Sequence, residues 1–226
     1  MCGRFTQHLS WAELHRLAGL IGQPRNLAPR YNIAPTTPIE VIRPSDAGDE
    51  LLPMRWGLVP PWWSKPLSDL PSTFNARAET VADKSMFQAA FRTRRCIIPA
   101  SGFYEWTGEP GHKTPHYFTS PSAEPLALAG LWEHWRSPEG RDVLSATIIV
   151  GPANEWMQRI HDRMPIILDW RDADDWLASH HPARLLRPAP EDALREWTVS
   201  RRVNHAGVGD DDPALIEPGR RSYDAK

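Results

Sequence analysis

The chain is poor in cysteine, with 2 in 226 residues, Cys2 and Cys96. Two cysteines build no disulfide framework and no thiolate cluster. The nine histidines show no paired metal-ligand spacing, so no metal site and no cofactor are expected. Long hydrophobic runs are missing too. No stretch approaches the roughly 18 apolar residues that cross a membrane, and the N-terminus lacks the basic-then-apolar pattern of a secretion signal. There is no GxGxxG opening a helix, no Walker loop and no GxSxG elbow, which excludes the common signatures of dinucleotide, nucleoside triphosphate and α/β-hydrolase sites. Lysine is scarce, at 4 against 22 arginines. Arginine is the better bidentate phosphate ligand, although a GC-rich genome gives the same bias. With a net charge of −2, bulk electrostatics do not announce a nucleic-acid binder, and a local basic cleft stays open. A reducing cytoplasm is the expected compartment.

What is present suits a packed core, with 41% hydrophobic residues and 11 tryptophans. Ser10 and Glu13 make a capping-box pattern ahead of Leu14, Leu17 and Leu20, and Gly22 reads as a stop. Residues 30–36 read as an irregular loop. Strands are expected at 39–43, 54–59, 94–100, 103–106, 116–119 and 166–168, with a hairpin over 126–135 and 142–150. Short helices are expected near 86–91, 154–160 and 169–176, and a last strand at 196–200. Helices and strands mix without βαβ alternation, so the class is α+β on an antiparallel or mixed sheet. From Ala206 the chain is polar, with Asp210, Asp211 and Asp212 in a row, and a flexible tail over 206–226 is expected. Cys96 lies in the apolar run Cys96-Ile97-Ile98-Pro99 and reads as a buried small hydrophobe.

The N-terminal Met1-Cys2-Gly3-Arg4 offers one special chemistry. Removal of Met1 would leave an α-amine and a thiol on adjacent carbons, with unperturbed pKa values of about 8 and about 8.5. Such a β-aminothiol attacks an aldehyde first through nitrogen, giving an imine, then through sulfur, closing a thiazolidine ring. The second attack is intramolecular and gains effective molarity. The plainer reading is a frayed end, and the position alone does not decide.

Three polar residues sit in structural surroundings. Glu105 lies in the aromatic strand Phe103-Tyr104-Glu105-Trp106. Facing inwards its pKa would rise and fit it for acid/base work; facing outwards it is a solvated strand residue. His161 opens His161-Asp162-Arg163-Met164-Pro165 as a proton shuttle or a structural partner. Asn75 has a carboxamide able to orient a reacting group. Each alone is more often structural than catalytic. Trp62 and Trp63 follow Pro60-Pro61. On the residues alone they read better as lids on the core than as a stacking platform for bases.

Eight segments together resemble the SRAP family, the SOS-response-associated peptidase proteins. They are Met1-Cys2-Gly3-Arg4-Phe5, Arg30-Tyr31-Asn32-Ile33-Ala34-Pro35, Arg55-Trp56-Gly57-Leu58-Val59-Pro60, Phe74-Asn75-Ala76-Arg77-Ala78-Glu79, Arg95-Cys96-Ile97-Ile98-Pro99-Ala100, Gly102-Phe103-Tyr104-Glu105-Trp106, Ala129-Gly130-Leu131-Trp132-Glu133 and His161-Asp162-Arg163-Met164-Pro165. Each is weak; their combination in this order is specific.

The resemblance implies one SRAP domain over 1–205, with a mixed or antiparallel sheet core forming a barrel-like body and peripheral helices. It implies covalent capture of abasic sites in single-stranded DNA by a monomer, cytoplasmic and on the nucleoid when DNA-bound. Cys2 would be the nucleophile after loss of Met1. Asn75 would position it, Glu105 would relay protons, and His161 would assist opening of the sugar. Arg4 and Arg77 match phosphate-binding arginines, and Pro35 falls in a loop lining the same cleft. Trp62 and Trp63 match an aromatic wedge, which reverses the lid reading. Lyase-type cleavage at the imine and self-catalysed removal of Met1 would be accompanying activities. One departure is visible, since Val150 and Gly151 stand where the family often has two threonines, and a hydroxyl contact to DNA there would be lost. The rival readings are an N-terminal-nucleophile cysteine amidohydrolase, which the same Met1-Cys2-Gly3 start permits, a peptidase, and a non-catalytic single-strand DNA-binding module.

Overall fold

Successive apolar side chains along a strand point to opposite faces and need a core on each, and this chain builds both around one closed sheet. The computed structural model describes residues 2–219. In chain order the elements are β1 (Phe5–Gln7), α1 (Trp11–Ala18), β2 (Arg30–Ile33), β3 (Pro38–Ser45), β4 (Gly48–Trp56), β5 (Asn75–Arg77), α2 (Gln88–Thr93), β6 (Arg95–Ala100), β7 (Gly102–Thr107) and β8 (Thr114–Thr119). Then come β9 (Leu126–Arg136), β10 (Asp142–Pro152), α3 (Glu155–Gln158), β11 (Arg163–Pro165), β12 (Ile167–Leu168), α4 (Ala173–Ala178) and β13 (Arg195–Thr198).

Strand β10 pairs with β4 on one side and β9 on the other, and β4, β3, β6 and β9 follow in order, so the five strands close into a barrel. The β10–β4 pairing is parallel and the rest of the ring is antiparallel. Closure removes the free edges of an open sheet. A second sheet runs β13-β8-β7-β1-β2. Along β6, Cys96 and Ile98 pack into a core shared with Phe5, Phe103 and Phe118 of the second sheet, while Ile97 joins a core with Leu14, Phe91 and Trp176 from α1, α2 and α4. Strand β6 is therefore buried on both faces, which explains its unbroken apolar run. Cys96 is the buried hydrophobe its sequence context suggests.

Ser10 caps α1 with a complete capping box, and the helix ends at Gly19 in the left-handed conformation rather than at Gly22. The stretch read as an irregular loop, 30–36, is a strand over Arg30–Ile33, because the long-range pairing of β2 with β1 outweighs the nearby proline. The end of the His161-Asp162-Arg163-Met164-Pro165 segment is also extended, with Arg163–Pro165 paired antiparallel to β10.

The expected tail is corrected over 206–219. Asp210 pairs with the Arg30 guanidinium at 2.7 Å and accepts the Asn32 backbone N–H at 2.8 Å, and Leu215 is fully buried in a short 3-10 turn, Pro213–Ile216. Asp210 anchors β2, while Asp212 caps the turn and pairs with Arg202. Residues 220–226 lie outside the described residues. Among the described residues no helix is long and apolar enough to cross a membrane.

Candidate active site

Cys2 enters the fold just ahead of β1, which is pinned between β2 and β7. It is fully buried, and its carbonyl accepts a hydrogen bond of 2.7 Å from Asn75 Nδ2. Asn75 opens β5, which lies parallel to the barrel strand β10 with Asn75 opposite Ile148. Its Oδ1 is buried with no hydrogen-bond partner among the described residues. Burial foremost, and then the charge of Glu105, push the Cys2 thiol well above the ordinary cysteine range. The unperturbed value of about 8.5 would leave the thiol partly ionised near neutrality. In the fold the sulfur is held as a neutral thiol, because a thiolate there would be desolvated beside a carboxylate.

Glu105 faces inwards. It is 3% exposed in β7, and burial raises its pKa to about 7. Gly102, three residues earlier, lets this strand approach β8. A Cβ there would overlap the Phe118 carbonyl and the Tyr117 ring.

His161 Nε2 stands 3.9 Å from Glu105 Oε2. His161 follows α3, whose Trp156 stacks edge-on against Phe118 with centroids 5.9 Å apart. The backbone N–H of Arg163 donates to His161 Nδ1 at 3.0 Å. Asp162 Oδ1 lies 3.1 Å from the same nitrogen, an arrangement suited to a protonated ring. Asp162 is 84% exposed and solvated, while burial leads the causes that lower the His161 pKa, so the backbone donor decides. The neutral ring then carries its proton on Nε2, facing Glu105.

The structure therefore brings Cys2, Asn75, Glu105 and His161 to one place. The expected DNA contacts are more varied. Arg77 ends β5 and is exposed. Trp62 is 56% exposed and Trp63 is half-buried, with ring centroids 6.3 Å apart; the Trp63 carbonyl accepts from Trp135 Nε1 at 2.7 Å. Pro35 lines a groove that reaches Phe74, the neighbour of Asn75. Arg4 is partly committed inside the protein, since Nη1 donates to Asn32 Oδ1 at 2.6 Å and to the Val203 carbonyl at 2.7 Å. Val150 is fully buried between Arg77 of β5 and Pro165 of β11, and so belongs to the core.

Arg163 was not singled out from sequence. It pairs across β10 from Arg77, at Pro152 and Val150 respectively, and forms an ion pair with Glu79. Its place inside the His161 segment was the one signal available. Among the described residues no cluster of His, Cys, Asp and Glu could hold a metal.

A family model described as SOS response associated peptidase (SRAP) matches residues 1–206. The chain belongs to the SRAP family. Among SRAP relatives, it is 36% identical to the abasic site processing protein YoqW of Bacillus subtilis over 96% of this chain and 99% of that one. It is 32% identical to the abasic site processing protein HMCES of Xenopus tropicalis over 67% of this chain and 54% of that one. An X-ray structure of a protein from Bacteroides thetaiotaomicron shares the SRAP fold, with a TM-score of 0.85 and 22% identity over 96% of this chain and 100% of the other.

Proposed function

We propose that this protein processes abasic sites by capturing them covalently in single-stranded DNA through Cys2. Membership of the SRAP family and the names of the YoqW and HMCES relatives support abasic-site processing. The observation that carries the covalent reading is the Cys2 backbone held by Asn75 at 2.7 Å, with a carboxyl of pKa about 7 within electrostatic reach of its thiol.

In this reading Met1 is removed first, leaving the Cys2 α-amine free. His161 Nε2–H hydrogen-bonds the ring oxygen of the deoxyribose while the Glu105 carboxylate takes the C1′ hydroxyl proton and hands it to that ring oxygen, opening the sugar to its aldehyde. The amine attacks C1′, and loss of water gives an imine. Glu105, with its pKa close to neutrality, serves as acid for that loss and then as base for the thiol. The C–S bond forms as the S–H proton moves to the imine nitrogen, and the thiazolidine closes. A buried thiol needs that base, which explains a carboxyl with a raised pKa beside it. Sulfur closure consumes the imine, whose β-elimination would otherwise cut the strand. The exposed Arg77 and Trp62 offer a phosphate contact and a stacking face for the flanking strand.

The test is incubation of the processed protein with a single-stranded oligonucleotide bearing an abasic site. An adduct stable to denaturing electrophoresis is expected. Cys2→Ala abolishes it, and Cys2→Ser stops at an imine that reductant traps. Stable adduct formation by Cys2→Ala overturns the mechanism.

A further inference from the structure

Arg55, next to the end of β4, is half-buried and forms no ion pair among the described residues. Among the described residues its side chain makes one hydrogen bond, from Nη1 to the Gly57 carbonyl at 2.6 Å. Burial alone disfavours its charged form, with no carboxylate contributing. Arg95 also lacks a carboxylate, but it donates to five backbone carbonyls, those of Phe91, Arg92, Trp176, Leu177 and Ser179. A guanidinium has five donors and keeps its charge, so Arg55 is left with unused donors and an uncompensated cation.

Arg55 lines the groove of about 380 Å³ that Pro35 also borders. One wall is the loop that descends from Trp62 and Trp63 through Leu67 and Leu70; the other is the Pro35–Thr36 turn. Phe74 closes the end next to Asn75, and the Trp56 ring packs edge-on against it at 5.7 Å. The volume is within the range of about 300–1,000 Å³ usual for ligand sites. Apolar walls over an unneutralised arginine suit a flat, weakly polar group attached to an anion.

We propose that this groove is a subsite for the nucleotide adjoining the lesion, with Arg55 on the phosphodiester that links it to the abasic sugar. The assignment rests on the abasic-site reading, since it is the adjacency of Phe74 and Asn75 that makes the groove's occupant a neighbour of the captured sugar. Arg55 thereby contributes to holding the strand, and the base it carries lies against Phe74, which the buried Trp56 ring backs, and the wall of Leu67 and Leu70.

The experiment measures equilibrium binding of wild type, Arg55→Met and Arg55→Lys to a single-stranded oligonucleotide carrying a tetrahydrofuran abasic analogue, which has no aldehyde and cannot be captured. Arg55→Met is expected to bind about tenfold more weakly, with a salt slope shallower by about 0.7. Arg55→Lys keeps binding within about threefold. Neutral methylphosphonate substitution of the two phosphodiesters flanking the lesion, one at a time, weakens wild type about tenfold at one of them, and on that oligonucleotide wild type and Arg55→Met bind alike. Arg55→Met binding as tightly as wild type, or a penalty that survives on both methylphosphonates, overturns the subsite. Were Arg55→Met to unfold, the wild-type methylphosphonate series decides, and indifference to both substitutions overturns it. Capture of a natural abasic site is followed in parallel. No adduct with an intact Arg55 effect counts against covalent capture alone, and adduct formation without an Arg55 effect counts against the subsite alone.

Discussion

His161 Nε2 and Glu105 Oε2 face each other across 3.9 Å, too far for a direct hydrogen bond and wide enough for the two to reach neighbouring oxygens of one sugar. The two residues arrive from different parts of the fold. Glu105 belongs to a strand of the second sheet, and His161 to the turn that leads back to the barrel edge. The gap is therefore set by the packing of α3 against β8, through Trp156 and Phe118, rather than by either motif alone.

Glu105 couples this gap to pH. Its folded pKa, about 7, lies above the ordinary glutamate value of 4.5. Between those values the folded state holds a proton that the unfolded state has lost. Stability from this group is thus greatest at low pH, falls as pH rises from about 4.5 to 7, and levels off above. Glu105→Gln removes that slope. Thermal melting should show the variant more stable than wild type at pH 8 and nearly equal at pH 5, while adduct formation falls about a hundredfold or more. A variant that melts lower than wild type at pH 8 contradicts the raised pKa.

How much of this was legible beforehand depends on how far each interaction reaches along the chain. Ser10 and Glu13 are three residues apart, and their capping box was readable. The strand periodicity around Cys96 and Phe103 was readable for the same reason. Whether Glu105 faced inwards was not, because inward and outward faces of a short aromatic strand look alike until Gly102 brings β8 against it. The β2 strand was hidden because its partners, β1 and Asp210, lie some 25 and 180 residues away. Burial of the Cys2 thiol was hidden too, since it depends on the whole core closing over the N-terminal stretch. The grouping of Cys2, Asn75, Glu105 and His161 came from the family resemblance. Residue by residue, each had a structural reading of equal or greater weight.

Trp62 and Trp63 separate by exposure. Trp62, mostly in solvent, contributes little to folding, so Trp62→Ala should leave the melting temperature within about 2 °C of wild type. Removing its stacking face should weaken single-strand binding about tenfold. Trp63→Ala should lower stability by about 1–3 kcal/mol as well, because its ring is half-buried. Calorimetry and oligonucleotide titration on the two variants give the comparison. Equal melting losses for both would place Trp62 in the fold rather than at the cleft.

Gly102 is constrained by space and not by a turn. The Cβ of an alanine would collide with the backbone carbonyl of Phe118, which pairing with β7 holds in place, and with the Tyr117 ring, whose hydroxyl is bonded to Thr6 at 2.9 Å. Neither neighbour can yield without opening the β7–β8 pair that carries Glu105. Gly102→Ala is expected to cost about 3 kcal/mol and to lower the melting temperature by roughly 10 °C. A near-neutral result in calorimetry would show that the strand pair slides, and the Glu105–His161 gap would then be softer than its packing indicates.

The segment after residue 206, where the family match ends, is linked to Arg4 through two steps. Asp210 fixes β2 by accepting from Arg30 at 2.7 Å and from the Asn32 backbone at 2.8 Å. The Asn32 side chain in turn donates to the His205 and Val208 carbonyls at 2.9 and 2.8 Å and accepts from Arg4, two residues from Cys2. Asp210→Ala breaks an ion pair about one-quarter exposed and orphans a backbone donor, a loss of about 2 kcal/mol. For a chain this size the melting temperature should fall by roughly 4–8 °C. Adduct formation should slow at the same time, because Arg4 and the backbone around Cys2 lose their brace. Asp210→Asn, which keeps an acceptor but not the charge, should recover part of both. If Asp210→Ala lowers the melting temperature while capture proceeds at the wild-type rate below the transition, the segment stabilises β2 without bearing on Cys2.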